Sequence, residues 1–252
     1  MTKRIPMPTA PILWYTLVLT IAFAGLVLYA FQLDSPETYG LVDIVFWAAL
    51  FIWSVKAGVS LPFSASISHL FVVGLASAVL FPPWIPPILA TIFRINPEIE
   101  KSSYPWYKEW FNRVQNGISI GIGALVWHYL THKTVITIGQ VNLGPTVGIL
   151  LASVALSTVN ISLVSYVIYL ASGASFRKVW FENYGWFFRS LVILSPVALL
   201  LARAYEAPLV GNWGGFSVLF IMLLLYFSRF YWDEKVKLED SFNATIDTLV
   251  QA

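Results

Sequence analysis

Amide and hydroxyl side chains at helical spacing are the residues of this chain best placed to recognise another molecule. Asn112, Gln115, Asn116 and Ser119 fall at i, i+3, i+4 and i+7, which is one face of a helix. Ser153, Ser157 and Asn160 fall at i, i+4 and i+7 in a second apolar run, and Ser66, His69 and Ser77 at i, i+3 and i+11 in a third. Asp43 and Lys56 stand near opposite ends of another. Of the three faces, only His69 carries a group that titrates near neutrality. Two roles are open to such groups. They can converge on a polar cavity that binds a small molecule, or join neighbouring helices by hydrogen bonds worth roughly 0.6–2 kcal/mol each. Asn112, Gln115, Asn116, Ser157, Asn160 and His69 are the ligand-binding candidates.

Covalent chemistry has no comparable foothold. The sequence contains no G-x-S-x-G, no H-E-x-x-H and no phosphate-cradling glycine-rich loop ahead of a helix. It has no Cys and three His, which removes thiol catalysis and Cys-ligated metals. His128 and His132 share a helix face, but no carboxylate or Cys stands nearby to complete a metal site. Neither an enzyme activity nor a metal or cofactor is expected of this segment.

The elements that position these groups follow from composition. Of 252 residues, 58% are hydrophobic and 11% charged, with a mean hydropathy of +0.74. Soluble domains carry about 25% charged residues. This chain cannot coat a water-facing surface, so a soluble enzyme, a disordered protein and a nucleic-acid-binding domain are excluded. A net charge of +2 gives nucleic acid nothing to hold. The expected partner is membrane lipid, and the expected class is all-α, a polytopic helical membrane bundle.

About eight transmembrane segments are expected, at residues 12–32, 41–54, 59–81, 86–95, 111–130, 145–171, 186–204 and 216–231. The third and fourth are separated by FPPWIPP, which no helix crosses. The fourth is a short tilted span or half of a re-entrant hairpin. Residues 175–184 mix basic and aromatic positions, as an interfacial segment does. Gly117 and Gly121 form a G-x-x-x-G pattern suited to close helix packing within the bundle. With both termini cytoplasmic, every Lys and Arg except Lys133 and Arg203 falls on the cytoplasmic side, as the positive-inside rule requires.

Residues 1–232 form the expected bundle, and residues 233–252 a polar cytoplasmic helix. In that tail Leu238, Phe242, Thr245 and Leu249 are spaced 4, 3 and 4 apart, an a/d seam. It could pair with a second copy as a homodimer, or carry displacement to a cytoplasmic neighbour. The pattern breaks off at Ala252, as if before an output domain absent from this chain.

Residues 59–83 (VSLPFSASISHLFVVGLASAVLFPP), 106–120 (WYKEWFNRVQNGISI), 157–173 (STVNISLVSYVIYLASG), 197–206 (VALLLARAYE) and the tail 228–252 carry a resemblance. Together they resemble the N-terminal multi-span sensory modules that precede bacterial HD-GYP phosphohydrolase and GGDEF cyclase domains. The resemblance implies an input module in the bacterial inner membrane that regulates cyclic-di-GMP turnover through a catalytic domain beyond it. Residues 59–83 are also similar to the first part of the S components of energy-coupling transporters, which bind a small molecule between helices. The leading expectation is a sensory input module. The alternatives are a small-molecule transporter or substrate-binding subunit, and a passive anchor for dimerisation.

Overall fold

The computed structural model describes residues 9–33, 39–56, 59–60, 66–67, 69–94, 105–133, 137–138, 141–207 and 213–227. The tail seam of Leu238, Phe242, Thr245 and Leu249 lies outside them, as do the side chains of Lys56, Ser66 and His132.

The described chain is helical: α1 (Ala10–Phe31), α2 (Leu41–Lys56), α3 (Leu70–Leu80), α4 (Ile85–Phe93), α5 (Trp106–Lys133), α6 (Gly144–Ser172) and α7 (Phe176–Glu206), then α8 (Gly214–Phe227). Two antiparallel ladders of two residues per strand sit in the connections. β1 (Val59–Ser60) pairs with β2 (Ser66–Ile67), and β3 (Thr137–Ile138) with β4 (Val141–Asn142).

Side-chain contacts show that successive helices run up and down. Trp47 of α2 meets Phe81 beyond the end of α3, while Trp53 meets His69 at its start, so α2 and α3 are antiparallel. Thr91 and Pro87 of α4 lie against Gly117 and Gly121 of α5, again antiparallel. Phe46 and Trp53 of α2 meet Trp213 and Tyr226, which makes α8 parallel to α2. α5 sits centrally. At Gly117 an added Cβ would lie 2.1 Å from Thr91 Oγ1 and 2.7 Å from Phe23 Cε2, and at Gly121 2.5 Å from Leu26 Cδ2. The G-x-x-x-G pair therefore packs α1 and α4 against α5 inside the bundle.

The core joins Trp47 and Phe51 of α2 to most of α3, Ile120 and Trp127 of α5, Ile149 and Leu156 of α6, Leu201 of α7 and Met222 of α8. The outer surface is also apolar. Trp14, Ile21 and Leu28 of α1 and Phe216, Phe220 and Leu224 of α8 are more than half exposed. So much outward apolar area suits contact with lipid.

Two helices, α1 and α6, are long and apolar enough to cross a membrane by length and composition. Helices α2, α3 and α8 are apolar but shorter. The expected third span is not one helix. Residues 59–60 and 66–67 are paired strands, and helix begins only at Leu70. Pro62 cannot continue a helix, and the serines of SLPFSAS compete for backbone hydrogen bonds. Helix α3 has 11 residues and α4 has 9, about 16 and 14 Å at 1.5 Å per residue. Each covers about half of a ~30 Å hydrocarbon layer. The expected interfacial segment at 175–184 is not separate from the seventh run either. Both belong to α7, 31 residues with Pro196 inside. A single Gly185 costs only about 1 kcal/mol relative to Ala and does not interrupt it.

Candidate functional site

Helices α5 and α6 meet along an antiparallel seam held close by glycine. A Cβ at Gly123 would lie 3.3 Å from Leu156 Cβ, and one at Gly148 3.2 Å from Trp127 Cε3. Asn116 and Ser119 precede Gly123 by seven and four residues, and so share its face. Carried along the pair, this register sets Asn116 level with Asn160 and Ser119 level with Ser157. Gln115, Asn116, Ser119, Ser153, Ser157 and Asn160 are all buried. Asn112 is half-buried at the end of the stripe.

The hydroxyls in this seam bond to their own helices. Ser119 Oγ donates to the Gln115 carbonyl at 2.8 Å, and Ser157 Oγ to the Ser153 carbonyl at 2.5 Å. Asn116 Nδ2 donates to the Asn112 carbonyl at 2.8 Å. Gln115 Nε2 reaches Ser119 Oγ at 3.4 Å. Asn160 is 7% exposed, and its amide makes no hydrogen bond among the described residues. Asn160→Leu is expected to leave the stability of the purified chain in detergent within about 1 kcal/mol of the parent, because no described hydrogen bond is lost. A larger fall would mean that the amide is paired by something bound in the seam.

His69 does not join this group. It is buried at the N-cap position of α3, its ring 6.2 Å from that of Trp53. The expected face of Ser66, His69 and Ser77 is not formed. Ser66 lies in β2, and Ser77 donates to the Gly74 carbonyl within α3. Among the described residues no cluster of three or more His, Cys, Asp or Glu could hold a metal.

Two constellations were not anticipated from sequence. At the junction of α4 and α5, Glu109 is buried between two guanidinium groups. Arg94 Nη1 lies 3.3 Å from Glu109 Oε2, and Arg113 Nε lies 2.8 Å from Oε1. Arg113 Nη1 also donates to the Ile92 carbonyl at 3.0 Å. At the opposite end of the bundle the Tyr205 hydroxyl donates to Asp43 Oδ1, while the Gly40 amide donates to Oδ2 at 2.7 Å. The rings of Phe46, Trp47 and Trp213 surround this clasp. The i, i+4 spacing of Glu109 and Arg113 was a visible signal. Nothing local linked Asp43 to Tyr205.

Among the described residues, an apolar helical bundle encloses these polar groups. Residues 12–237 match the MASE9 family, and the chain belongs to it. This is a family of membrane-associated sensory domains. No match was found among curated proteins.

Proposed function

We propose that this MASE9 domain is the input half of a signalling protein, biasing a cytoplasmic cyclic-di-GMP-type output domain through residues 233–252. The observation that carries the reading is the match to a membrane sensory family over residues 12–237. In this reading the eight helices each cross or enter the inner membrane with both termini cytoplasmic. The charge split that leaves only Lys133 and Arg203 outside supports that orientation. The α5–α6 seam is the element with two arrangements. Its hydroxyls bond within their own helices, so a shift along it breaks none of those bonds. Asn112, Gln115, Asn116, Ser157 and Asn160 would meet a small polar ligand there. In sequence α8 leads into Leu238, Phe242, Thr245 and Leu249, whose a/d spacing suits rigid transmission and pairing with a second copy.

The test fuses residues 1–252 to a diguanylate cyclase domain. Inserting four residues after Lys237 rotates the seam out of phase, and inserting seven restores it. The expected result is an output change of about fivefold or more with four residues, as coupling of about 1 kcal/mol gives, and recovery with seven. Equal output from all three fusions would refute transmission through the tail and favour the passive anchor.

One observation favours a second reading, a transporter or substrate-binding subunit. The short α3 and α4 flank a proline break at Pro82 and Pro83, as the broken helices of transporters flank their sites. Substrate accumulation in vesicles would select it.

A further inference from the structure

We propose that the end of the bundle holding Asp43 binds a cationic amphiphile, its ammonium group at the Asp43 carboxylate and its chain in the groove between α2 and α8. The proposal deepens the sensory reading by naming the chemistry of the stimulus, but the site itself stands on geometry alone.

The first observation is a carboxylate without an ion-pair partner among the described residues. Asp43 accepts from two neutral donors, the Tyr205 hydroxyl and the Gly40 amide. Among the described residues no Lys or Arg pairs with it. Arg203, the cation closest to Tyr205 in sequence, is held by Glu206 at 2.5 Å. Asp43 lies in the first turn of α2, where the helix N-terminus supports its charge without a cation.

The second observation is what surrounds it. The Phe46 ring stacks on Tyr205 at 5.8 Å and 18°, Trp47 meets Tyr205 edge-on at 5.7 Å, and Trp213 meets Phe46 at 4.9 Å. Aromatic faces beside a carboxylate are the arrangement that recognises ammonium groups. Trp47 is fully buried, and its indole, like that of Trp213, is directed at the Tyr205 hydroxyl, which fixes that hydroxyl on Asp43.

The third observation is continuity with a chain-sized groove. A cavity of about 560 Å³ begins at Phe46 and Trp213 and continues past Leu50, Trp53, Met222 and Leu223. Small-ligand sites span roughly 300–1,000 Å³. The groove lining named here is apolar, so it offers an alkyl chain a place and leaves the charge of the ligand to be read at its Asp43 end. An occupant wedged between α2 and α8 would also set the position of the helix that leads into the tail.

The full chain, purified in a neutral maltoside detergent, is titrated with dodecyltrimethylammonium and, separately, dodecyl sulfate, following tryptophan fluorescence. Tighter binding of the cation by about tenfold is expected, a preference that Asp43→Asn removes. Tyr205→Phe, which keeps the carboxylate and frees it from its clasp, is expected to retain the preference. This serves if Asp43→Asn fails to fold. Leu50→Trp, which fills the groove, is expected to weaken both ligands. Equal binding of cation and anion, or a cation preference that survives Asp43→Asn, would overturn the proposal. Native mass spectrometry after reconstitution in phosphatidylethanolamine or in phosphatidylglycerol alone distinguishes sources. Retained phosphatidylethanolamine identifies a membrane lipid headgroup, and cation binding without it identifies a free amphiphile. If the cation binds as expected but the cyclase fusion does not respond, the site stands and the sensory reading fails.

Discussion

Glu109→Ala is expected to lower the stability of the chain by about 3 kcal/mol, because the Arg113 guanidinium loses its carboxylate. Glu109 bonds both Arg94 and Arg113, and the three side chains are 10%, 15% and 23% exposed. Removing the carboxylate takes from both guanidinium groups a partner that they share at a largely buried site. Glu109→Gln keeps the shape and loses the charge, so it falls between wild type and Glu109→Ala. The double substitution Glu109→Leu with Arg94→Met removes one charge of each sign and should recover much of the loss. Thermal unfolding in detergent separates these variants. A loss below about 1 kcal/mol for Glu109→Ala would place the cluster with ordinary surface ion pairs.

Gly214→Ala should cost about 3 kcal/mol, the upper end of overpacking effects. A Cβ at position 214 would lie 1.9 Å from the Tyr205 carbonyl oxygen and 2.6 Å from its C and Cα. All three are backbone atoms, so no rotamer change relieves the contact. The start of α8 has to move off the end of α7, which draws Tyr205 away from Asp43 and Trp213 away from Phe46. Thermal unfolding together with tryptophan fluorescence reads both effects. Gly173 is the control. Its φ is +70° and a Cβ there would meet nothing within 4 Å, so Gly173→Ala should cost only the backbone strain of about 1 kcal/mol and leave tryptophan emission unchanged. Equal losses at the two glycines would mean that the Tyr205 approach is not rigid.

Legibility in the sequence followed the range of the interaction. Helices α1, α5 and α6 lie close to where apolar length placed them, and Pro82 with Pro83 ends α3 as proline must. The i, i+4, i+7 spacing put Ser153, Ser157 and Asn160 on one buried face. Their burial leaves open whether they bind a ligand. Residues 59–69 have the apolar content of a span, yet residues 59–60 and 66–67 pair as strands. There, Pro62 and the serines outweigh hydropathy. Charge and aromatic content change near Gly185 and suggest a boundary within residues 176–206, yet one glycine does not end a helix. Glu109 with Arg94, and Asp43 with Tyr205, are 15 and 162 residues apart. Such partners become neighbours only through packing, which no local pattern encodes.

The central place of α5 bears on the order in which the chain can assemble. Helices α1, α3 and α4 all complete their buried faces against it, at Phe23, Gly74 and Thr91. During synthesis these three leave the ribosome before α5 does. Until residue 133 has emerged, the surfaces that will meet it have only lipid or one another for cover. The clasp from Asp43 to Tyr205 closes later still. The N-terminal third is therefore made early and fixed late, and its unpaired surfaces are what a membrane insertase or chaperone would have to shield in the interval.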